Sequence, residues 1–429
     1  ARPTLLSGPT GLADPTATMI TRIPYGLKGV VAMAQLLVLG CGEFARSALF
    51  LAALPAVLQH RLHLTSVITL GWLSGGLLYG SDTLLRSPSG WVVDRLGAAR
   101  ASCLAALLLL AGVATIACSR ALGGLAVGVM LVGAGMAPVW TSVMAGVTGV
   151  AGPTRQAQAL SAIFIAWLVG GGLGTLGSLL LLDRLLLGPT LAMLTGAAAV
   201  AAGTGAVAWL GTHLLHERTP HRATRPRVGV RTYVRRLGAA LLAARALTPG
   251  LFLQTFILAM VLAVVQRYAT TVLQWTSGQV VWLLLGGGSV AVLLLVPISR
   301  AVDRHSPHLF LRVGFVIAAG PLAALAWVHR PVEGAVVAGL LGGSYAVILT
   351  SWNALLARTV PDDRRGGMWG VFTTLEGLGA ACGPPMAGLL WERISPAAPF
   401  VAGAVALLLI ALVYSLYPID RQLALPQAE

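Results

Sequence analysis

The sequence predicts an all-α integral membrane protein of twelve transmembrane helices, arranged as two six-helix bundles related by pseudo-twofold symmetry. Three observations carry this reading. Hydrophobic residues make up 57% of the 429 positions and charged residues only 10%, whereas a soluble chain needs about 25% charged residues to cover its surface. Twelve apolar runs of bilayer-crossing length follow one another along the chain. The two halves also repeat at one constant offset. The composition excludes an ordinary soluble enzyme, a disordered chain and a secreted disulfide scaffold.

Residues 1–28 are polar and rich in Pro, Gly and Thr. They lack the apolar core of a signal peptide and are expected to form a flexible cytoplasmic tail. A hydrocarbon core takes about 20 apolar residues per helix. That ruler gives spans at 29–58, 66–89, 101–119, 121–149, 157–182 and 188–210, the N-terminal bundle (29–210). The arginine-rich stretch 211–247 reads as a basic cytoplasmic linker. The C-terminal bundle (248–418) follows, with spans at 248–273, 280–298, 309–328, 334–357, 368–391 and 399–418, and residues 419–429 close the chain as a second tail.

Lys and Arg total 29 against 14 Asp and Glu, a net charge of +15. In a soluble chain this excess would suggest nucleic acid. Here 21 of the 29 fall in the tails and in the loops on their side, counting Arg312 at the edge of span nine with them, five in the opposite loops and three deeper within spans. The positive-inside rule then places both termini in the cytoplasm, and the expected location is a bacterial inner membrane. The linker arginines read as topology and as contacts to anionic membrane lipids, with no nucleic-acid partner. Cys41, Cys103, Cys118 and Cys382 all lie in apolar runs without a metal-ligand spacing, and read as small buried hydrophobes.

The repeat lays Pro88 on Pro297, Asp94-Arg95 on Asp303-Arg304, Gly133 on Gly342, Arg155 on Arg364, Gly174 on Gly383 and Asp183-Arg184 on Glu392-Arg393, all 209 residues apart. Six spans separate the copies, so both halves enter the membrane in the same sense, as parallel transporter repeats do. Between spans two and three stands Gly90-Trp91-Val92-Val93-Asp94-Arg95-Leu96-Gly97-Ala98-Ala99-Arg100. This resembles the G-x-x-x-D-R-x-G-x-x-R signature of the major facilitator superfamily, and Asp303-Arg304 sits in a degenerate copy between spans eight and nine. The resemblance implies a conformational role for Gly90, Asp94, Arg95, Gly97, Arg100, Asp303 and Arg304. Gly90 is expected to permit close helix approach, and Asp94 to meet helix N-termini or arginines of the other half. A short turn with topogenic arginines is the alternative reading of the same residues. Glycines at 170–172, 174, 377, 379 and 383, with Pro384-Pro385, resemble the Gly/Pro-rich pattern of antiporters, although helix packing alone also accounts for most of them. Span four lacks the arginine that many drug antiporters carry.

Besides Arg312 at the cytoplasmic edge of span nine, six charged residues lie within the spans: Glu43, Arg46, Asp82, Arg86, Arg267 and Glu376. Each is costly against lipid and should face a cavity or a partner. Glu43 and Arg46 are three apart and Asp82 and Arg86 four apart, so each pair shares a helix face. Glu43, Arg46, Asp82 and Glu376 are the candidates for proton coupling, because a buried carboxylate beside a movable cation can switch its protonation. A static ion-pair network that locks the N-terminal half is the competing account. Arg267, near the end of span seven, can snorkel to the interface. Glu376 overlays Trp167 at the repeat offset.

Glu43-x-x-Arg46, Asp82, Trp140 and Trp167 together resemble proton-coupled glycolipid flippases of the same superfamily, the lipoteichoic-acid anchor type. That resemblance implies an amphipathic substrate, its polar head held by Glu43, Arg46 and the tryptophans and its tails along an apolar wall. Packing or interfacial anchoring is the other account of the tryptophans. Gln254 in span seven and Tyr345, Trp352 and Asn353 at helical spacing in span ten complete the expected cavity lining, since spans one, four, seven and ten surround the cavity in this family. No nucleotide loop, nucleophile triad or metal constellation occurs in the sequence, and neither cofactor nor catalysis is expected. The sequence therefore predicts a monomeric, proton-coupled secondary transporter that exports or flips an amphipathic small molecule or lipid. The alternatives are an importer or facilitator of a small polar solute and a non-transporting scaffold of the same fold.

Overall fold

The computed structural model describes residues 25–151, 156–183, 187–216, 247–359 and 365–416. The tails, most of the linker, Arg155, Arg184 and Arg364 lie outside the described residues, as does the side chain of Asp303. Among the described residues twelve long helices follow one another and no strand occurs. Helix α1 comprises Tyr25–Ala48, a π-helical turn at Leu49–Ala53, and Leu54–Arg61. Helix α2 comprises Val67–Gly71, a π-helical segment at Trp72–Tyr79, and Gly80–Leu96. The N-terminal half continues with α3 (Ala98–Cys118), α4 (Leu122–Ala151), α5 (Gln156–Asp183) and α6 (Leu187–His216). The C-terminal half holds α7 (Thr248–Arg267, ending in a π turn at Tyr268–Val272), α8 (Ser277–Arg304) and α9 (Pro307–Ala324). It is completed by α10 (Pro331–Thr359), α11 (Arg365–Arg393) and α12 (Ala398–Leu416). Helix α6 thus runs past residue 211, where the polar linker was expected to begin.

Ten of these helices are long and apolar enough to cross a membrane. The two others, α2 and α11, carry Asp82 with Arg86, and Glu376. The polar residues that lower the hydropathy of α2 and α11 also place charge at the centre of the molecule.

Local chemistry sets the helix ends. Ser66 caps α2 by accepting a hydrogen bond from the Thr69 amide at 3.2 Å. Thr276 and Gln279 form a reciprocal capping box at the start of α8, which satisfies amides that a helix start leaves unpaired. Arg61 donates to the Ala117 and Ser119 carbonyls at 2.7 and 3.2 Å, placing a cation at the negative end of the α3 dipole. Gly97 joins α2 to α3 at φ +83°, a conformation that only glycine adopts cheaply.

Each half has its own apolar core. Residues of α1 to α6 form one, including Leu39, Leu49, Leu109, Val132 and Ile163. Residues of α7 and α9 to α12 dominate the other, including Phe315, Trp352, Phe372 and Phe400. Within the halves, glycines let backbones touch, and they do so twice over with the same geometry. A Cβ at Gly170 would strike the Gly40 carbonyl and one at Gly174 the Phe44 carbonyl, on α1. The equivalents Gly379 and Gly383 stand against Phe252 and Phe256 of α7. Gly133 of α4 abuts Leu78 of α2, and Gly342 of α10 abuts Gly287 of α8. The 209-residue repeat of the sequence is therefore a repeat of helix crossings. Of the cysteines, Cys103 is buried as expected and Cys41 half-buried, but Cys118, the last residue of α3, and Cys382 are exposed.

Candidate functional site

Helices α1 and α2 place four charged side chains together near the middle of the N-terminal half. Arg46 donates to Glu43 Oε2 through Nε at 3.0 Å and Nη2 at 2.5 Å. Arg86 donates through Nη2 to Asp82 Oδ2 at 2.7 Å. Glu43 and Asp82 are 5% and 3% exposed, so both carboxylates have given up their water and depend on these partners. Tyr79 joins the group, which the sequence reading did not foresee. The Arg46 guanidinium lies 5.0 Å from its ring centroid, and Phe50 packs edge-on against the same ring at 5.3 Å. Both carboxylate helices depart from α geometry next to the cluster. The α1 π turn begins at Leu49, just after Arg46, and the α2 π segment ends at Tyr79, just before Asp82. Such turns widen the helix and re-aim the side chains beyond them.

The C-terminal half contributes a smaller polar group. Gln254 of α7 donates to Glu376 of α11 at 3.4 Å, and Tyr345 of α10 lies within electrostatic reach of the same carboxylate. Arg86 crosses between the halves, donating to the Thr373 carbonyl of α11 at 3.3 Å. The remaining expected cavity residues divide. Trp140 packs its ring edge-on to Phe164 of α5 at 6.0 Å, while Trp167, Tyr345 and Asn353 are exposed. Trp352 corrects the expectation of a continuous stripe on α10. It is 1% exposed and belongs to the C-terminal core, because it lies on the face of α10 that packs there with Ile348 and Leu355, whereas the adjacent Asn353 is exposed. An apolar groove of about 450 Å³ lies between α8, α9 and α10, lined by Val290, Leu294, Ile317 and Leu340 among others. None of the expected cavity residues lines it.

The residues of the α2–α3 signature act differently from their expectation. Gly90 has open space around it, so close approach is not its role in this conformation, and Gly97 is the glycine whose backbone demands it. Asp94 is exposed and forms no ion pair among the described residues. Arg95 stacks on Trp91 at 4.0 Å and Arg100 lies 5.9 Å from the Trp209 ring, both within the N-terminal half. Arg304 is exposed at the end of α8. Among the described residues no group of His, Cys, Asp and Glu is arranged to hold a metal.

The halves meet closely along α2 and α11. Gly71 and Gly75 of α2 lie against Pro384 and Pro385, Gly388 lies against Val67 and Ile68, and Gly377 against Thr83. At the end of this seam Glu392 accepts from Ser66 Oγ at 2.9 Å and from the Ile68 amide at 3.0 Å. Arg267, at the end of α7, donates to the exposed Thr65 carbonyl in the 62–66 loop of the other half at 2.7 Å. Ala52, Leu179 and Val281 form a second apolar contact, between α1, α5 and α8. All of these contacts lie between the middle of the molecule and the end that carries the 62–66 loop. Glu392 sits outside the apolar span, and the hydrogen bond from the Ile68 amide, assisted by Ser66, holds its carboxyl below the ordinary carboxylate range.

Comparison with known proteins agrees with this architecture. A curated relative, the proton-coupled antiporter flippase LtaA of Staphylococcus saprophyticus, is 24% identical over 392 residues, covering 89% of this chain and 93% of that protein. Among solved structures, a bacterial homolog of the human lysosomal transporter Spinster, in an inward-facing and unoccupied conformation, superposes with a TM-score of 0.70 at 15% identity, covering 94% of this chain and 98% of that one. A POT family transporter in complex with a thioalcohol-conjugated peptide gives 0.66 at 14% identity, covering 93% and 97%. These likenesses show the fold. The sequence profile of the Major Facilitator Superfamily matches residues 36–277 and 247–428, and the chain belongs to that family of membrane transporters.

Proposed function

We propose that the protein is a proton-coupled secondary transporter that exports or flips an amphipathic small molecule or lipid by alternating access. The observation that carries this is the buried pair of ion pairs, Glu43–Arg46 and Asp82–Arg86, gathered around Tyr79. A charge in a membrane protein core costs several kcal/mol unless it is paired. Proton uptake by Glu43 removes one charge and frees the Arg46 guanidinium, which then turns to the polar head of a substrate or to the Tyr79 ring. Trp140, Trp167, Gln254, Tyr345 and Asn353 are the proposed substrate contacts. The two bundles rock about the central site, as parallel-repeat transporters do. Similarity to the antiporter flippase LtaA supports the coupling and the amphipathic class.

In this reading both termini face the cytoplasm, the membrane is a bacterial inner membrane and the working unit is a monomer of two bundles, 29–210 and 248–418. The α2–α11 contacts then close the outer side, and the signature residues Asp94, Arg95, Arg100, Asp303 and Arg304 stand on the cytoplasmic side. The test is flux in proteoliposomes under an imposed pH gradient, with lipid-linked and amphipathic candidate substrates. Glu43→Gln is expected to lower gradient-driven flux by tenfold or more, since one unpaired or missing partner in a buried pair is worth about 3–5 kcal/mol. Unchanged gradient-driven flux in Glu43→Gln would remove Glu43 from the coupling step.

A further inference from the structure

The seam between α2 and α11 contains more unpaired polar chemistry than packing needs. Asp82 Oδ1, Thr83 Oγ1 and Arg86 Nε are buried without a hydrogen-bond partner among the described residues. Their spacing of three and four places them on one face of α2. That face lies on α11, where Thr83 touches Gly377 and Arg86 bonds the Thr373 carbonyl. Glu376 stands one turn along α11 from Thr373, on the same side, and within electrostatic reach of Arg86. The groups facing Glu376 are therefore Arg86 from α2, Gln254 from α7 and Tyr345 from α10, with Asp82 behind Arg86. Arg86 is the single cation among them.

We propose that Arg86 is a positioning residue shared by the two bundles. Its guanidinium is anchored on Asp82 and reaches across the seam to the Thr373 carbonyl, one turn of α11 from the Glu376 carboxylate. The seam is held while Glu376 is ionised and released when Glu376 takes up a proton. This rests on the proton-coupled reading above and extends it, because it joins the carboxylates of the N-terminal half to the opening of the seam. The geometry supplies the needed asymmetry. Asp82 lies on the same helix as Arg86 and moves with it, whereas Thr373 and Glu376 belong to the other bundle. Only the second set of contacts breaks when the bundles part. Neutral Glu376 removes the negative charge that faces Arg86 from α11 and leaves only the bond to Thr373 across the seam. A ligand can shift such an equilibrium only by its difference in free energy between the two states, and the proton has that difference here.

The experiment measures the seam directly. Spin labels at Leu64 and Ile394, both exposed at the closed end, report its separation in a background with Cys41, Cys103, Cys118 and Cys382 replaced. Distance distributions are recorded at acidic and neutral pH on the full chain in lipid nanodiscs, without substrate. The unaltered background protein is expected to gain the long-distance population at acidic pH. Glu376→Gln is expected to hold that population at both pH values. Arg86→Gln is expected to raise the open-to-closed ratio at neutral pH by about fivefold or more, the lower end of usual coupling between sites. Arg86→Lys, which keeps the charge, is expected to restore most of the pH response. A wild-type response in Arg86→Gln, or in Glu376→Gln should the first variant fail to fold, overturns the proposal. Because the labels report without any transported compound, a failure here is separate from a failure of the Glu43→Gln flux test.

Discussion

Replacing Gly71 or Gly75 by alanine is expected to open the α2–α11 seam without unfolding either bundle. At Gly71 the new Cβ would overlap the Pro384 carbonyl oxygen and stand 2.8 Å from its carbon and 3.0 Å from Pro385 Cα. At Gly75 it would stand 2.6 Å from the Ala381 carbonyl and from Pro385 Cδ, and 2.9 Å from Pro384 Cδ. The obstructing atoms are backbone and proline ring, which have no rotamer to change. Overpacking of a fitted contact costs about 1–3 kcal/mol, and here the strain is relieved by separating the bundles. The open-to-closed ratio should therefore rise by about 5- to 150-fold. Gly174→Ala is the control, since its Cβ would meet the Phe44 backbone inside the N-terminal half, and no rocking motion relieves that clash. The Leu64–Ile394 label pair reads the opening, and thermal denaturation of the same samples reads the fold. Gly71→Ala with an unchanged distance distribution, or with the same loss of thermal stability as Gly174→Ala, would refute the assignment of this seam to the moving interface.

Further outcomes follow from individual residues. Trp352→Ala should lower thermal stability by about 3–5 kcal/mol, the usual cost of deleting a buried aromatic, whereas Asn353→Ala, on the exposed side of α10, should leave the melting temperature nearly unchanged and alter flux. Gly97→Ala should cost about 1–3 kcal/mol, because φ +83° with ψ 151° is a region open essentially only to glycine, measured again by thermal denaturation. The Glu392 contact to Ser66 and Ile68 has a definite pH sign. A carboxyl held below its ordinary value by the Ile68 amide stabilises the closed end above that ordinary value and loses the effect as pH falls through its own depressed one. Glu392→Gln should therefore abolish the most acidic part of the opening curve seen with the label pair. Retention of that part in the variant would assign it to another group.

The fold was legible because membrane insertion imposes a length and an apolarity on every helix, and the expected spans match the observed helices to within several residues. The repeat was legible for a related reason: Gly133 with Gly342 and Gly174 with Gly383 mark crossings where two backbones touch, and no larger residue fits. The pairing of Glu43 with Arg46 and of Asp82 with Arg86 followed from helical spacing alone. Contacts made between helices did not. Tyr79 lies three residues before Asp82 and so shares its helix face, but the spacing alone did not show that the Arg46 guanidinium of α1 would lie against its ring. Arg267 reads as an interfacial residue, and nothing in its spacing places the Thr65 carbonyl of the other half beside it. Trp352 reads as cavity lining because periodicity gives a direction around α10, yet burial there changes from one turn to the next.

The repeat also shows where function departs from architecture. Helix crossings of α5 on α1 and of α11 on α7 coincide if α1 is shifted by 212 residues, Gly40 falling on Phe252 and Phe44 on Phe256. The same shift carries Glu43 to Thr255 and Arg46 to Leu258, and the 209-residue shift of α2 carries Asp82 to Ala291 and Arg86 to Leu295. The small residues that let the backbones pack are thus kept in both halves, but all four charges are confined to one. Glu376 with Gln254 is the sole acidic group inside the described C-terminal spans away from the loop ends. Two bundles built alike but lined so unlike suit a substrate whose two ends differ, its polar part toward α1 and α2 and its apolar part toward α7, α8 and α10. Introducing Thr255→Glu with Leu258→Arg would copy the charged pair into the second bundle. If the proposed amphipathic specificity is right, this variant should lose flux of lipid-linked substrates by tenfold or more while its bundles still assemble, because an ion pair would replace the exposed apolar side chain of Leu258. Undiminished lipid flux in a folded variant would show that the apolar half does not hold the tails.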